Sequence, residues 1–488
     1  MALRTGQQYV EDLKKQRRTM YAFGEKISDD WLEHPLIKPA LNCMKLTYEF
    51  ALLPEYEDLM TTKSHLTGEK INRFNSILSS TADYTKRIQE GQETMASHGG
   101  CNACRCTASI TLNTLYNITY IMDEKLGTHY HGRFLEFLKE IHSKDLALSA
   151  GMTDVKGNRS KRPSQQDPDM YVHVVERKDS GIIIRGAKAH QSLAMLGDYC
   201  IVCPTVLVHE DEKDYAVACA VPSDAEGVVH ILQCPSSDYK RFYDDLDIDL
   251  GNAKYGSHLT SIVIFNDVFV PWEKVFMCGE YQFAPDLLMD FSRHQRLGCA
   301  DCKVSVAELM VGAGAAIAEY NGLDWRRVTH IRDKIMDIIQ KASLVRGCVM
   351  GAITQGETSP SGVWLPDILF TDAARFYATD LIFDSARNLI DIAGGLVCTL
   401  PSERDLRNPK TEGYLKKYLK GREDISVEDR MRMFRFIEYI SGLAGCIMPT
   451  SVHAGGSPEV RKLNIQRRAN VERLMERAKK LAEIKGNT

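Results

Sequence analysis

Residues 170–190 read MYVHVVERKDSGIIIRGAKAH, with runs of β-branched residues on both sides of the polar turn KDSG. Short runs of this kind around a turn that contains glycine predict a β-hairpin. Four further runs lie between residues 199 and 271: YCIVCPTVLVHE, DYAVACAVPS, GVVHILQ and TSIVIFNDVFVP. We therefore expect a compact antiparallel β domain over residues 146–285.

On both sides of this domain the sequence has the periodicity of helices. LNTLYNITYIMDEKLG and GRFLEFLKEIHSKDLAL before it, and CKVSVAELMVGAGAAIAEYNG and FTDAARFYATDLIFDSARNLIDIAGG after it, carry apolar residues every three or four positions. Glycine ends the last two helices, and Ser426 and Ser457 stand where N-caps are expected. The prediction is an α+β fold, with an N-terminal helical domain (1–145), the β domain and a C-terminal helical bundle (286–488).

Composition narrows the class of protein. The 488 residues exceed what one hydrophobic core normally serves, and 44% apolar with 26% charged residues is typical of globular proteins. A net charge of −4 without a basic block argues against nucleic acid or an anionic membrane as partner. No stretch reads as a signal peptide or a membrane span, so we expect a cytoplasmic protein. The 14 cysteines are then expected to be thiols or metal ligands rather than disulfides.

Two short segments concentrate cysteine. GGCNACRCTAS contains Cys101, Cys104 and Cys106, and FSRHQRLGCADCKVSV contains Cys299 and Cys302. Single cysteines usually behave as small buried hydrophobes, whereas a metal site needs ligands from distant segments that meet in space. The paired C-x2-C spacings are also common in zinc sites. The pattern leaves these possibilities open.

Two loops of the β domain are rich in hydrogen-bond donors: GMTDVKGNRS (residues 151–160) and RGAKAHQS (residues 185–192). Such loops beside a β scaffold suit a polar planar ligand or its phosphates. A pair of well-capped turns would show the same pattern, so the loops alone do not decide between ligand binding and structure.

Seven motifs occur in one order along the chain: YAFGEKI, GMTDVKG, GAKAHQ, FNDVFVP, DIAGG, PSERDLRNP and HAGGSP. On these motifs the chain resembles the 4-hydroxyphenylacetate 3-hydroxylase/4-hydroxybutyryl-CoA dehydratase flavoprotein family, and within it the dehydratase branch. The resemblance implies an acyl-CoA dehydrogenase-like fold with a middle antiparallel β-barrel, a homotetramer, and FAD. By the same resemblance, the flavin is lined by Met152, Thr153, Asp154, Lys156, Lys188, His190, Gln191 and Ser192, and is approached by Gly394 and Gly395 of a neighbouring subunit.

The dehydratase branch resembles a system in which three cysteines and one histidine hold a four-iron, four-sulfur cluster, in the patterns C-x3-C and H-x6-C-K. Carried over to this chain, the patterns assign Cys101, Cys106, His294 and Cys302 as ligands, with Cys104 and Cys299 as substitutes. Neither spacing matches fully. The position four residues before Cys106 is Asn102, and His294 lies one residue too far from Cys302. Thiolates are the usual ligands of such clusters, so the residue types suit iron.

The resemblance also implies catalytic residues. His294, Lys303 and His453 are the candidates that this chain retains. Two glutamates and a tyrosine of the family pattern are replaced by Thr260, Thr450 and Leu297. None of these three can act as a carboxylate base or a phenolic acid near neutral pH.

The function implied is a lyase that removes water from a small hydroxyacyl-CoA, with possible double-bond isomerase activity. In such a reaction FAD exchanges one electron with the substrate and an iron of the cluster acts as a Lewis acid. Two alternatives remain open. One is a flavin-dependent monooxygenase of phenolic acids, which needs no cluster. The other is a non-catalytic relative, which the missing carboxylates favour.

Overall fold

The computed structural model describes residues 3–256, 258–442 and 447–484. Helices occupy both ends of the chain and strands its middle, as the sequence predicts. The helices are α1 (Gly6–Lys15), α2 (Ile37–Phe50), α3 (Glu57–Met60), α4 (Thr81–His98), α5 (Ala103–Leu126), α6 (Tyr130–Lys144), α7 (Ala284–Tyr320), α8 (Thr329–Thr354), α9 (Ile368–Ala393), α10 (Leu396–Thr399), α11 (Glu403–Arg407), α12 (Glu412–Tyr418), α13 (Val427–Ser441), α14 (Ile447–His453), α15 (Pro458–Arg468) and α16 (Val471–Leu481).

The strands form two larger sheets and two small hairpins. The strands are β1 (Thr19–Ala22), β2 (Glu25–Lys26), β3 (Thr61–Lys63), β4 (Lys70–Asn72), β5 (Leu148–Gly151), β6 (His173–Lys178), β7 (Gly181–Ser192), β8 (Tyr199–Val202), β9 (Val217–Pro222), β10 (Val228–Gln233), β11 (Thr260–Pro271), β12 (Val275–Cys278), β13 (Glu357–Thr358) and β14 (Trp364–Leu365). One sheet has six strands in the order β2-β1-β10-β11-β7-β6, and the other has four in the order β12-β9-β8-β5.

The predicted middle β-barrel is not observed among the described residues. The two sheets remain separate, and each ends in strands that pair on one side only. The pairing is also not purely antiparallel, because β1 runs parallel to β10 and β5 parallel to β8. The six-stranded sheet recruits β1 and β2 from the N-terminal part of the chain, which the periodicity predicted as mainly helical.

The predicted hairpin is confirmed, since β6 and β7 pair antiparallel with Lys178 opposite Gly181. The predicted helix boundaries are confirmed as well. Helix α7 ends at Tyr320, directly before Asn321 and Gly322, and α9 ends at Ala393, directly before Gly394, whose φ is +82°. Ser426 and Ser457 cap α13 and α15 through their side-chain oxygens.

Helices α7, α8 and α9 pack on one another and form the centre of the C-terminal bundle, with α13 against α7 and α9. Helices α4 and α5 also pack against α7. The turn between α4 and α5 therefore lies beside α7, which brings the two cysteine-rich segments to the same region. Among the helices that the structure describes, none is long and apolar enough to cross a membrane.

Candidate active site

Lys188 lies at the centre of the predicted flavin loops and is buried. Its Nζ donates to Oδ1 of Asp154 at 2.5 Å, to the carbonyl of Met152 at 3.2 Å and to the carbonyl of Cys203 at 2.7 Å. An ammonium group has three donors, and all three are used within the protein. Lys188 and Asp154 therefore hold the loop in place, and the side chains offered to a ligand must be others of the set.

The end of β7 supplies such side chains. His190 is exposed and has a φ of +57°, a conformation uncommon for residues other than glycine. Burial and the nearby Lys156 and His453 lower the pKa of His190, so three basic groups face one region. Gln191 donates from Nε2 to the carbonyl of Thr153 at 2.9 Å and fixes the two loops to each other.

A series of polar contacts runs from these loops to α7. Oγ of Ser192 and Nε2 of His258 are 3.2 Å apart, and Nζ of Lys303 donates to Oγ1 of Thr450 at 3.0 Å. Burial and, to a smaller extent, the positive charge of Lys303 together lower the pKa of His258 to about 4. His258 is therefore a neutral imidazole at pH 7 that can accept a proton.

Two buried arginines hold the segment that contains His453. Arg375 donates to the carbonyl of Ser451 at 2.9 Å and to that of Ala454 at 2.7 Å. Arg461 also donates to the carbonyl of Ala454, at 3.2 Å. Since guanidinium groups bind several carbonyls in a fixed geometry, these contacts determine where the exposed His453 side chain stands.

Cys101 and Cys106 lie at the start of α5, and Cys299 and Cys302 lie on α7, against which α4 and α5 pack. Burial raises the pKa of Cys101 well above its usual range, and Cys106 and Cys302 raise it further. Burial raises the pKa of Cys106 to about 12, with further contributions from Cys299 and Cys302. The guanidinium of Arg375 lies close enough to Cys299 and Cys302 for both to raise its pKa, although burial lowers it overall.

The other two residues of the predicted ligand set are placed differently. Cys104 is fully buried, and its thiol donates to the carbonyl of Leu193 at 2.9 Å. His294 is buried beside Tyr84, with Nδ1 and the Tyr84 hydroxyl 2.9 Å apart. Burial lowers the pKa of His294 to about 3, and within the described residues Nε2 has no hydrogen-bond partner.

In the part of the chain that the structure describes, no three His, Cys, Asp or Glu side chains stand close enough to share one metal ion. The ligands of an iron–sulfur cluster are spaced further apart, because the thiolates bind different irons. The described thiols therefore form no site for a single zinc ion.

The positions where the family resemblance expects acid–base residues do not supply them. Thr260 begins β11 opposite Ser192 and donates to the carbonyl of Gln233 at 3.4 Å. Leu297 is fully buried in an apolar cluster of the helical bundle. Gly394 and Gly395 are exposed, and a side chain added at either would meet nothing within 4 Å.

Sequence reasoning missed two residues of this site, His258 and Arg375, and one buried carboxyl group on α4, that of Glu90. His258 stands two residues before β11, and only the long-range pairing of β11 with β7 places it beside Ser192. Arg375 gave no signal, because an arginine in an amphipathic helix normally faces solvent. Glu90 is fully buried, and neither carboxyl oxygen has a hydrogen-bond partner among the described residues. Burial raises the pKa of Glu90 to about 8, so it holds a proton at pH 7.

Comparison with known families agrees with this architecture. The family model described as the 4-hydroxyphenylacetate 3-hydroxylase N-terminal region matches residues 5–277, and that of the C-terminal region matches residues 284–483. The chain belongs to the 4-hydroxyphenylacetate 3-hydroxylase family.

Within this family the chain is similar to 4-hydroxybutyryl-CoA dehydratase/vinylacetyl-CoA-Δ-isomerase of Clostridium aminobutyricum, with 36% identity over 99% of this chain and 100% of that protein. It is similar in structure to an oxygen-tolerant archaeal 4-hydroxybutyryl-CoA dehydratase from N. maritimus, with a TM-score of 0.95 and 38% identity over 100% of this chain and 96% of that one. The oxygenase component of 4-hydroxyphenylacetate 3-monooxygenase from Thermus thermophilus is 26% identical over 88% of this chain and 87% of its own. A complex of such an oxygenase component with FAD shares the fold, with a TM-score of 0.84, 23% identity and 98% coverage of both chains.

Proposed function

We propose that this chain is a hydroxyacyl-CoA dehydratase that also isomerises the double bond of an enoyl-CoA. The observation that carries the proposal is the full-length likeness to the N. maritimus dehydratase, at a TM-score of 0.95 and 38% identity. The monooxygenase from Thermus thermophilus is less similar, at 26% identity. The four cysteines on α7 and at the start of the neighbouring α5 support the same choice, because a flavin monooxygenase needs no such group of ligands.

FAD fits the loops that follow β5 and end β7. Lys156 and His190 are exposed there, and Thr153 and Ser192 are half-buried. These side chains offer positive charge and hydroxyl donors for the phosphates and ring edge of a flavin, and bound FAD would supply one-electron transfer. Lys188 keeps the loops in the shape that this requires.

A four-iron, four-sulfur cluster fits the thiols beside α7. Thiols whose pKa is raised by burial stay neutral unless a positive group binds them, and the irons of a cluster would be such a group. The resemblance assigns Cys101, Cys106, Cys302 and His294 as ligands, and Cys299 stands among the same thiols. When bound, the cluster would supply a Lewis acid for the departing hydroxyl group.

The chain's own residues supply the proton chemistry in this proposal. His258 accepts a proton from the substrate carbon in this proposal, because its imidazole is neutral and it lies two residues from position 260, where the family pattern has a carboxylate. Lys303 orients the hydroxyl of Thr450. His453, held by its arginines, stands next to His190 on the flavin side of the site.

The chain is also proposed to act as a homotetramer. Large apolar side chains are exposed on α8 and α9, among them Leu344 at 73%, Tyr377 at 58% and Phe383 at 45%. Contact with further copies of the chain would remove this surface from water. Multi-angle light scattering should give about four times the 55.0 kDa of one chain.

The function is tested by assaying protein purified and kept under strict anoxia. Incubation with 4-hydroxybutyryl-CoA should yield an enoyl-CoA, with flavin and iron present in the preparation. A parallel assay in air contains reduced flavin and 4-hydroxyphenylacetate. Hydroxylation of the phenol by an iron-free protein would overturn the proposal in favour of the monooxygenase, and inactivity in both assays would favour a non-catalytic relative.

A further inference from the structure

Helix α16 (Val471–Leu481) presents a continuous apolar face to solvent. At about 100° per residue, its apolar side chains fall within about 120° of the helix circumference, and charged side chains occupy the rest. The apolar set is Val471, Leu474, Met475, Ala478 and Leu481. No residue of α16 is buried, and the four larger apolar side chains are between 47% and 86% exposed. An isolated helix of 11 residues is marginal in water, so this face needs a partner.

The C-terminal segment that contains α16 is basic, whereas the rest of the chain is acidic. Residues 458–488 hold nine Lys and Arg against four Glu, a net charge of +5. The whole chain carries −4, which leaves −9 on residues 1–457. On α16 itself, Arg477 and Lys479 border the apolar face on its two sides. A fitting partner therefore has an apolar surface edged by acidic side chains, and a second copy of this chain offers an acidic body.

Three exposed rings form one aromatic surface on that body. The ring centroid of Phe23 lies 4.7 Å from that of Tyr239 and 5.4 Å from that of Phe242. All three side chains are between 41% and 55% exposed. Phe23 stands at the tip of the β1–β2 hairpin with a φ of +53°, a conformation that disfavours a side chain. An exposed ring held in such a position points to a role in contact with another surface.

Acidic side chains surround the aromatic surface. The segments that carry the three rings, residues 19–35 and 236–249, hold nine Asp and Glu against three Lys and Arg. Four of the nine are exposed and form no ion pair in the described part of the chain: Glu25, Asp29, Asp30 and Asp244. Apolar rings edged by free carboxylates complement the apolar face of α16 with its basic edges.

We propose that α16 of one copy packs on the aromatic surface of a second copy, so that two copies exchange their C-terminal helices. In this contact the rings cover Leu474 and Met475, and the basic edges of α16 meet the free carboxylates. An anionic membrane is the other surface that basic amphipathic helices bind, but it repels the acidic body of this chain. The contact is independent of the proposed reaction, so its test needs no turnover.

The contact also differs from the apolar surface of α8 and α9. A tetramer with D2 symmetry contains more than one kind of two-fold interface. The α8–α9 surface would supply one kind and the exchanged helices another. Loss of the helix contact alone should therefore leave dimers rather than single chains.

The direct test is a photo-cross-link from the helix. The full chain is made with p-benzoylphenylalanine in place of Leu474 and irradiated in dilute solution. A denaturing gel should show a product of twice the mass of one chain. Mass spectrometry of that product should join position 474 to residues 19–26 or 236–243. Only products of single-chain mass, or peptides from another surface, would overturn the proposal.

Substitutions give a second readout, the molar mass in light scattering. Leu474→Asp combined with Leu481→Asp places charge on the apolar face, and Phe23→Ser combined with Tyr239→Ser removes two rings. Each pair should halve the mass of the wild-type assembly. The matched control Arg473→Gln, on the polar face of α16, should keep the wild-type mass.

The wild-type mass in the helix variant, or a wild type that is itself a single chain, would overturn the exchange of helices. Dissociation of the helix variant but not of the ring variant would overturn the choice of the aromatic surface. An unfolding midpoint in urea equal to that of the wild type shows that each variant is folded, which is expected because the replaced side chains are exposed.

Sedimentation with vesicles of phosphatidylcholine and phosphatidylserine tests the membrane as the other occupant. The wild type should stay in the supernatant. Sedimentation of the wild type, abolished by the two aspartates on α16, would overturn the proposal in favour of an anionic membrane.

Discussion

Lys188 connects the two flavin-side loops through three hydrogen bonds and is itself buried. In Lys188→Ala the Asp154 carboxylate would remain buried without its cation, which costs about 3–5 kcal/mol. Thr153 is half-buried on the same loop, and Thr153→Ala removes one hydroxyl with little effect on packing. We expect Lys188→Ala to lower both the unfolding midpoint in urea and the bound FAD, and Thr153→Ala to lower the bound FAD alone.

The control for this pair is Lys156→Ala, which removes an exposed ammonium from the same loop. It should weaken FAD binding without moving the unfolding midpoint. Equal midpoints for wild type and Lys188→Ala would contradict the structural role of Lys188. Undiminished FAD in Thr153→Ala and Lys156→Ala together would contradict the placement of the flavin.

His258 is the residue that we expect to accept the proton. His258→Gln keeps a hydrogen-bonding group of similar size beside Ser192 but removes the base, and loss of a general base typically costs about 10²–10⁴-fold in rate. We expect kcat for 4-hydroxybutyryl-CoA to fall by that factor while KM changes little. In the wild type, activity should decline only as the pH approaches about 4, where His258 becomes protonated.

The matched control for His258→Gln is His129→Gln, because His129 is exposed and precedes α6 far from the site. It should retain wild-type kcat. If His258→Gln also retains kcat, another group takes up the proton.

The sequence predicts the cysteine segments and the flavin loops of the candidate site, but not the direction of each side chain. Cys104 and Cys106 are two residues apart, and only helix phase decides that Cys104 faces the Leu193 carbonyl while Cys106 packs against the apolar cluster that contains Phe74. Lysine is a residue type that often binds the phosphates of a cofactor. Lys188 has a structural role instead, because its ammonium pairs with the buried Asp154. Long-range contacts of this kind leave no local signal in one sequence.

Gly186 shows how one element of the β domain depends on a glycine. It interrupts β7 with a φ of +129°, and a Cβ there would overlap the carbonyl of Tyr171. Gly186→Ala should destabilise the folded chain by at least about 1–3 kcal/mol, through backbone strain and steric overlap. The unfolding midpoint in urea measures this cost.

Gly312 provides the opposite case within α7. A side chain added there meets nothing within 4 Å, so Gly312→Ala should stabilise the chain by about 0.5–1 kcal/mol. If Gly186→Ala and Gly312→Ala unfold at similar urea concentrations, an alanine at position 186 causes no backbone strain.

The sequence predicts well those elements whose structure depends on residues close together along the chain. The β6–β7 hairpin and the ends of α7 and α9 follow from turn and capping chemistry. The parallel pairing of β1 with β10 joins residues about two hundred positions apart, and the short strands at the chain's start give no local indication of their partner. The predicted barrel was wrong for the same reason, since closure depends on which distant edges meet. The domain boundaries at residues 145 and 285 stay predictions.

Two buried histidines make the stability of the whole molecule depend on pH. Burial lowers the pKa of His230 to about 3 and that of His142 to about 4, from 6.5 for an unperturbed imidazole. Below pH 6.5 the unfolded chain therefore binds protons that the folded chain does not, so the unfolding free energy decreases as the pH falls through this window. For a fully buried group such as His230 the decrease is up to about 1.4 kcal/mol per pH unit.

His230→Gln removes one of the two imidazoles that take up a proton when the chain unfolds. Relative to the wild type, the urea midpoint of this variant should fall less steeply between pH 7 and pH 5, whatever its value at pH 7.

Glu90 acts in the opposite sense, because burial raises its pKa to about 8. Between pH 4.5 and pH 8 the folded chain keeps the proton on Glu90, whereas the unfolded chain releases it. Glu90→Gln should therefore gain stability over the wild type as the pH rises through that window. If the urea midpoints of the wild type, His230→Gln and Glu90→Gln change by the same amount with pH, neither buried group is the source of the pH dependence.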